Sequence, residues 1–342
     1  MCHGRCLQLD IRSGSGTVAR VMLAIRQFIT IARLTALEAI RQPLAFLLFA
    51  TALFLVGLLP LVLSHTLGES EKFVRDGALA FMWLAGLVLG AHLACASLSG
   101  EIRRGTVSAV LSKPIGRTTF FLAKYAGIAV VMTLFAAGIL MAVLLAARTA
   151  SEPHFVDRWA AVPLWLSIGL AFVIGGLINF FLRRPFVSNA FATLFILLTA
   201  AFLFTGWVDR AGQPTAFGAF YDFRILYAGA LIALAILVLA ALSVSLATRL
   251  RAIPTLSICG VVFLLGLLSD YFFGRFADGS AVAKSLYYLL PNWQHFWVVD
   301  ALAGDATIPW VYVSQAGAYA LLYLAGLLVF GVTAFQRMEV KA

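Results

Sequence analysis

Glu101-Ile-Arg-Arg-Gly-Thr-Val-Ser-Ala-Val-Leu-Ser-Lys-Pro-Ile-Gly-Arg117 is the longest strongly basic and polar insert between two segments long enough to cross a bilayer. Arg103, Arg104, Lys113 and Arg117 stand against one acid, Glu101, and such a basic excess in a short loop places it on the cytoplasmic side of a membrane. Thr106 can cap a short helix on which Val107, Val110 and Leu111 fall at i, i+3 and i+4, so one small apolar face is presented. Pro114 stops that helix. A short capped helix with an apolar stripe and a basic rim suits docking on a soluble partner better than it suits chemistry.

Working outward, the composition is that of a membrane chain. Hydrophobic residues make up 62% and charged residues 12%, where soluble domains run near half and a quarter. Mean hydropathy is +0.98. Eight apolar stretches, each near the ~20 residues a bilayer requires, fall at about 44–63, 78–98, 120–147, 161–182, 186–206, 225–247, 254–273 and 310–335. With both termini inside, the inner segments carry 17 of the 25 Lys and Arg and four of the 15 Asp and Glu. The balance is then +13 inside against −3 outside, which supports that orientation and an even number of spans. A six-span reading would bury Arg183-Arg184 or Arg249 and Arg251 at roughly 2.5–3.5 kcal/mol per charge, so eight is preferred. The fold expected is all-α, a polytopic transmembrane helical bundle.

Before the first span, residues 20–42 read as a basic amphipathic helix lying in the cytoplasmic interface. Met22, Ile25, Phe28, Ile29, Ala32 and Ala36 share one face, while Arg26, Arg33, Glu38 and Arg41 share the other. Residues 1–19 read as a disordered tail without the apolar core of a signal peptide, and Met22 is a candidate alternative start. Residues 20–342 form one membrane domain. On the outer side, Tyr287-Tyr288-Leu-Leu-Pro-Asn-Trp293 with Phe296-Trp297 suits a short helix at the interface, or an aromatic belt with no substrate role.

Signals for chemistry are weak. There is no G-x-x-x-x-G-K-[ST] phosphate loop, no H-E-x-x-H and no G-x-S-x-G, and the five histidines are scattered. Cys2 and Cys6 lie in the tail and Cys95 and Cys259 in apolar segments, so no disulfide framework is implied. No catalytic residue, cofactor or metal is expected. The net charge of +10 lies in short loops rather than on one folded face, which disfavours nucleic acid as partner. Within the spans His92, Asn179 and Asp270 are candidates for a transport role, while Lys124 is expected to snorkel to the cytoplasm.

The order Glu101, Gly105-Thr106, a small apolar run, Pro114, Arg117 resembles the membrane permease subunits of type-2 ATP-binding-cassette (ABC) exporters, close to those of nitrous-oxide-reductase maturation and gliding-motility systems. The amphipathic helix before the first span and the Leu-Pro-Asn element before the last extend the resemblance over most of the chain. It implies that residues 101–117 form a coupling helix that docks on a separate ATPase, with Glu101, Gly105, Thr106, Val107, Val110, Leu111, Pro114 and Arg117 as coupling residues. It implies two copies of that ATPase, a second copy of the permease or a homologous one, and an inner-membrane location with cytoplasmic termini. The chain would itself be non-catalytic. The alternatives are an ATP-independent secondary transporter and a non-transporting membrane scaffold.

Overall fold

Ile40 ends the first helix, and Pro43 opens the next at a position whose amide has no intrahelical acceptor, so the chain turns sharply there at little cost. The computed structural model describes residues 5–63, 70–105, 115–150, 156–276, 279–302 and 307–337, with side chains from residue 22 onward. In chain order the helices are α1 (Arg5–Ile40), α2 (Pro43–Val62), α3 (Ser70–Arg103), α4 (Arg117–Thr149), α5 (Arg158–Leu182), α6 (Phe186–Gly206), α7 (Ile225–Ala247), α8 (Ala252–Leu267), α9 (Ser269–Phe272), α10 (Ala281–Leu289) and α11 (Trp310–Gln336). Among the described residues no strand is present beyond one isolated bridge between Val208 and Pro214. This is the all-α polytopic bundle that the apolar periodicity demands, because a helix satisfies its own backbone in lipid.

Two expectations change. The helix expected to begin at Arg20 runs from Arg5, so from that residue the segment read as a disordered tail is helical. The seventh expected span, 254–273, is not one straight helix. Among the described residues seven helices are long and apolar enough to cross a membrane, and α8 with the segment Ser269–Phe276 forms a pair bent by 69°. Around the bend, carbonyls of α8 accept from side chains of a later segment: Trp293 Nε1 donates to Val262 O (3.2 Å), and Gln294 Nε2 donates to Leu267 O (3.0 Å) in the last turn. Gly266 lets this happen, since a Cβ there would collide with both Pro291 O and the Trp293 ring. A break in lipid needs such replacement partners, and residues 291–294 supply them.

Cross-chain contacts sort the helix ends into two sets. At one end Ser99 Oγ donates to Leu250 O (3.1 Å), Arg117 Nη1 to Gln336 O (3.0 Å) and Arg249 Nη2 to Ala334 O (3.4 Å). At the other, Ser70 Oγ donates to Ala150 O (3.1 Å), Thr205 Oγ1 to Trp159 O (3.1 Å) and Arg75 Nη1 to Leu302 O (3.4 Å). The chain leaves the first end at Leu250 and reaches the second by Leu302, so the bent pair and the turns after it carry it across once. Counted with the seven straight helices, the bent pair brings the candidate spans among the described residues to eight at most.

Burial separates a centre from a rim. About two thirds of the α3 span is buried and 61% of the α4 and α7 spans, against 28% for α5 and α6 and 17% for α11. The α3–α4–α7 centre packs through fully buried Leu79, Met82, Ile128, Phe135, Ile232 and Leu239. The α5, α6 and α11 helices leave many apolar side chains exposed, Phe180, Ile196 and Leu322 among them. The aromatic element divides in the same way: Trp293 and Phe296 are buried, with Trp83 edge-on to Trp293 and stacked on Trp297, while Tyr288 stays exposed. Part of the element is thus packed into the bundle at the Arg75–Leu302 end, and part is left exposed.

Candidate functional site

The last turns of α3 are irregular where they matter. Cys95–Ser99 is a π-helical turn, and its extra residue per turn rotates the end of the helix about its axis. Ser99 holds the turn in place by donating to Leu250 O and accepting from Arg103 Nη2 (2.8 Å). Glu101, just beyond, is thereby turned toward α4, where its Oε1 lies 2.5 Å from Lys124 Nζ.

Lys124 is buried, with its side chain 5% exposed, and does not snorkel as its place near the helix start led us to expect. A buried ammonium needs partners, and here it has several. It donates to Ser97 Oγ (3.3 Å) and Glu101, lies 3.9 Å from Glu38 Oε2, and sits 5.7 Å from the Phe120 ring centroid. One cation therefore ties α1 through Glu38, α3 through Ser97 and Glu101, and its own α4. The seating of α1 on α4 is close: a Cβ on Gly127 would stand 2.5 Å from Ala32 O. Beside the cluster opens a groove of about 820 Å³ lined by Leu34, Glu38, Arg41, Glu101, Ile115 and Lys124, among others.

Of the coupling residues expected, three are described. Glu101 is in the cluster. Gly105 closes α3 with φ +72°, a left-handed conformation that an L side chain enters only with strain. Arg117 opens α4 and donates to Gln336 O, while Gln336 Nε2 donates to Thr118 Oγ1 (3.0 Å), so the last helix is tied to the same end. Thr106, Val107, Val110, Leu111 and Pro114 lie outside the described residues.

The polar candidates within the spans have separate roles in the packing. Asn179 Nδ2 donates to Arg184 O (2.7 Å) and closes the α5–α6 turn. Asp270 Oδ1 accepts from Tyr287 Oη (3.0 Å) and Asn292 Nδ2 (2.8 Å), which staples the bend after α8 to the Pro-Asn element. That carboxylate is the first cause of a raised Tyr287 pKa, with burial second. His92 is half-buried, its Nε2 enclosed and without a partner among the described residues, beside a cavity of about 380 Å³ that Cys95 and Arg103 also line. None of the three joins the Glu101 cluster. Among the described residues no group of three or more His, Cys, Asp or Glu could hold a metal ion.

Sequence reasoning missed the second buried ion pair. Arg148, near the far end of α4, lies with Nε 2.8 Å from Asp157 Oδ2, and the two side chains are 1% and 2% exposed. Nη1 donates to Thr205 O (2.6 Å) and Nη2 to Val208 O (2.8 Å), and the guanidinium lies 5.3 Å from the Phe220 ring centroid. Asp157 also caps α5 by accepting from Trp159 N (2.9 Å). A base directly continuous with an apolar span, at the end expected to be poor in bases, was the available signal; its acid partner, nine positions on, could not be picked out from periodicity.

The geometry offers a mechanical connection rather than a reacting centre: a salt-bridged junction of three helices at the end of α3 and the start of α4. A family model described as ABC-2 family transporter protein matches residues 73–251, which covers α3 through α7 and both buried ion pairs. No curated protein and no solved structure matches the chain.

Proposed function

We propose, since the chain belongs to the ABC-2 family of transporter proteins, that it moves its substrate outward across the inner membrane with energy from ATP hydrolysed by a separate chain. It is a multi-pass membrane protein and the permease of a type-2 ABC transporter, and association with an ABC ATPase follows from that family. Beyond this, we assign the Glu101 end to the cytoplasm, with both termini there, in keeping with the +13 charge balance on that side. Two ATPases and two permeases make the assembly in this reading, and the permease contributes no catalytic group. Residues 101–117 dock on the ATPase. Closure of the ATPases pushes on Glu101 and Arg117, and the Lys124 junction passes that motion to α1, α3 and α4 together.

The observation that carries this reading is the Lys124–Glu101 contact with Glu38 beside it, because it couples the docking segment to three helices through one side chain. The test is purification from the native host in mild detergent with mass spectrometry of the proteins that co-purify, repeated with Val107, Val110 and Leu111 changed to Asp. A Walker-type ATPase present with the parent and lost with the variant supports the docking surface. Absence of an ATPase from both refutes it and returns the choice to a carrier or a scaffold.

A further inference from the structure

The turn between α5 and α6 presents two cations that no acid answers. Arg183, Arg184 and Pro185 join two helices that are each long and apolar enough to cross a bilayer, so the turn lies at a bilayer surface, at the Glu101 end. Both arginines are exposed, and neither makes an ion pair or a side-chain hydrogen bond among the described residues. No acid stands near them in the chain either: from Arg158 to Val208 there is no Asp or Glu. Lys124 and Arg148, by contrast, are each met by a carboxylate.

The backbone of the turn is fixed from both sides. Asn179 Nδ2 donates to Arg184 O (2.7 Å) and Asn189 Nδ2 donates to Pro185 O (2.6 Å), so one side-chain amide from each helix holds it. Within it Arg183 takes φ 50°, the left-handed region that glycine enters without strain. An arginine at such a position, where glycine would cost less, points to a use for its side chain. Just before it, in the last turn of α5, Phe180 and Phe181 are 77% and 73% exposed and meet edge to face at 5.1 Å, with Leu182 exposed beside them. Aromatic rings are favoured at headgroup depth, and here they stand on the membrane side of the two charges.

Two unpaired guanidinium groups at a bilayer surface, with exposed rings on the hydrocarbon side of them, match a molecule that has an anionic head and an apolar body. We propose that the α5–α6 turn binds an anionic phospholipid of the leaflet at the Glu101 end, with Arg183 and Arg184 on its phosphate and Phe180 and Phe181 against its glycerol and upper acyl region. The proposal does not depend on which substrate the permease moves or on the ATPase.

Native mass spectrometry of the purified full chain tests it, with phosphatidylglycerol titrated against phosphatidylcholine. The parent retains phosphatidylglycerol in preference to phosphatidylcholine. R183Q/R184Q lowers the apparent affinity for phosphatidylglycerol by about 30-fold, roughly fivefold for each arginine near a membrane surface, and R183K/R184K, which keeps the charge, retains the preference. F180A/F181A keeps both arginines but weakens the two lipids alike; it alters only exposed rings, so the test stays decisive if R183Q/R184Q fails to fold. R249Q/R251Q removes two exposed arginines from the same end and binds as the parent does, which separates this turn from the general basicity of that face. Equal retention of the two lipids by the parent, parent-like affinity in R183Q/R184Q or in F180A/F181A, or an equal loss in R249Q/R251Q overturns the proposal. So does displacement of the lipid by excess inorganic phosphate, which marks a site for soluble anions, or a dimer that retains neither lipid because a second copy covers the turn.

Discussion

The two ends of α4 each bury a cation, and the two burials are unlike. Arg148 is closed in: a planar fork meets one carboxylate and two carbonyls, with the Arg148 and Asp157 side chains nearly inaccessible. Lys124 is only half enclosed by its partners. Glu101 is 22% exposed and Glu38 50%, a groove opens beside them, and a π turn lies just before Glu101. A guanidinium fixes several acceptors in one geometry, whereas an ammonium on a flexible stem accepts partners at changing angles. The Arg148 end thus behaves as an anchor holding α4, α5 and α6 together, and the Lys124 end as a joint at which α1, α3 and α4 can shift while staying linked.

The largest effect that would break this comparison is at the anchor. Arg148→Met leaves Asp157 buried without its cation and is expected to cost about 3–5 kcal/mol, seen as loss of monodisperse folded protein in detergent. If Arg148→Met unfolds no more easily than the parent, the end is not an anchor. At the joint, Glu101→Gln is expected to cost only about 1–2 kcal/mol, because Lys124 keeps Ser97 and Glu38 nearby. Its main consequence is functional: ATP turnover by the co-purified ATPase loses its dependence on the permease. A stability loss equal to that of Arg148→Met would erase the distinction between anchor and joint.

The smallest effect calibrates the scale. Arg183, at the Glu101 end but in neither network, is the one non-glycine residue with positive φ among the described residues, at 50°. Arg183→Gly relieves that conformation but adds unfolded-state entropy that offsets part of the relief, for a net gain below about 1 kcal/mol. A small rise in the detergent unfolding midpoint checks it; a fall would show that the Arg183 side chain contributes more than its backbone costs.

Much of this was legible along the chain. Apolar length gave away the spans at 44–63, 186–206 and 225–247 nearly to the residue, because span length answers to bilayer thickness and needs no tertiary partner. Residues 101–117 stood out because clustered charge between spans is a local property. The bend after Leu267 did not show, since it depends on Trp293 and Gln294 arriving from a later segment to satisfy its carbonyls. The role of Lys124 was misread for the same reason. Read locally, a lysine near a helix start has water within reach, and only the arrival of Glu101 and Glu38 from two other helices makes its burial affordable.

The sequence by itself therefore determined that the chain is an all-α membrane protein with a charged, polar segment between its second and third spans, because composition, span length and charge placement act residue by residue. The tertiary structure decided which charges are buried, where a span breaks and how the ends of α4 differ. Those outcomes rest on partners far apart in the chain, and burying a charge or a bare carbonyl in lipid is too costly unless they meet.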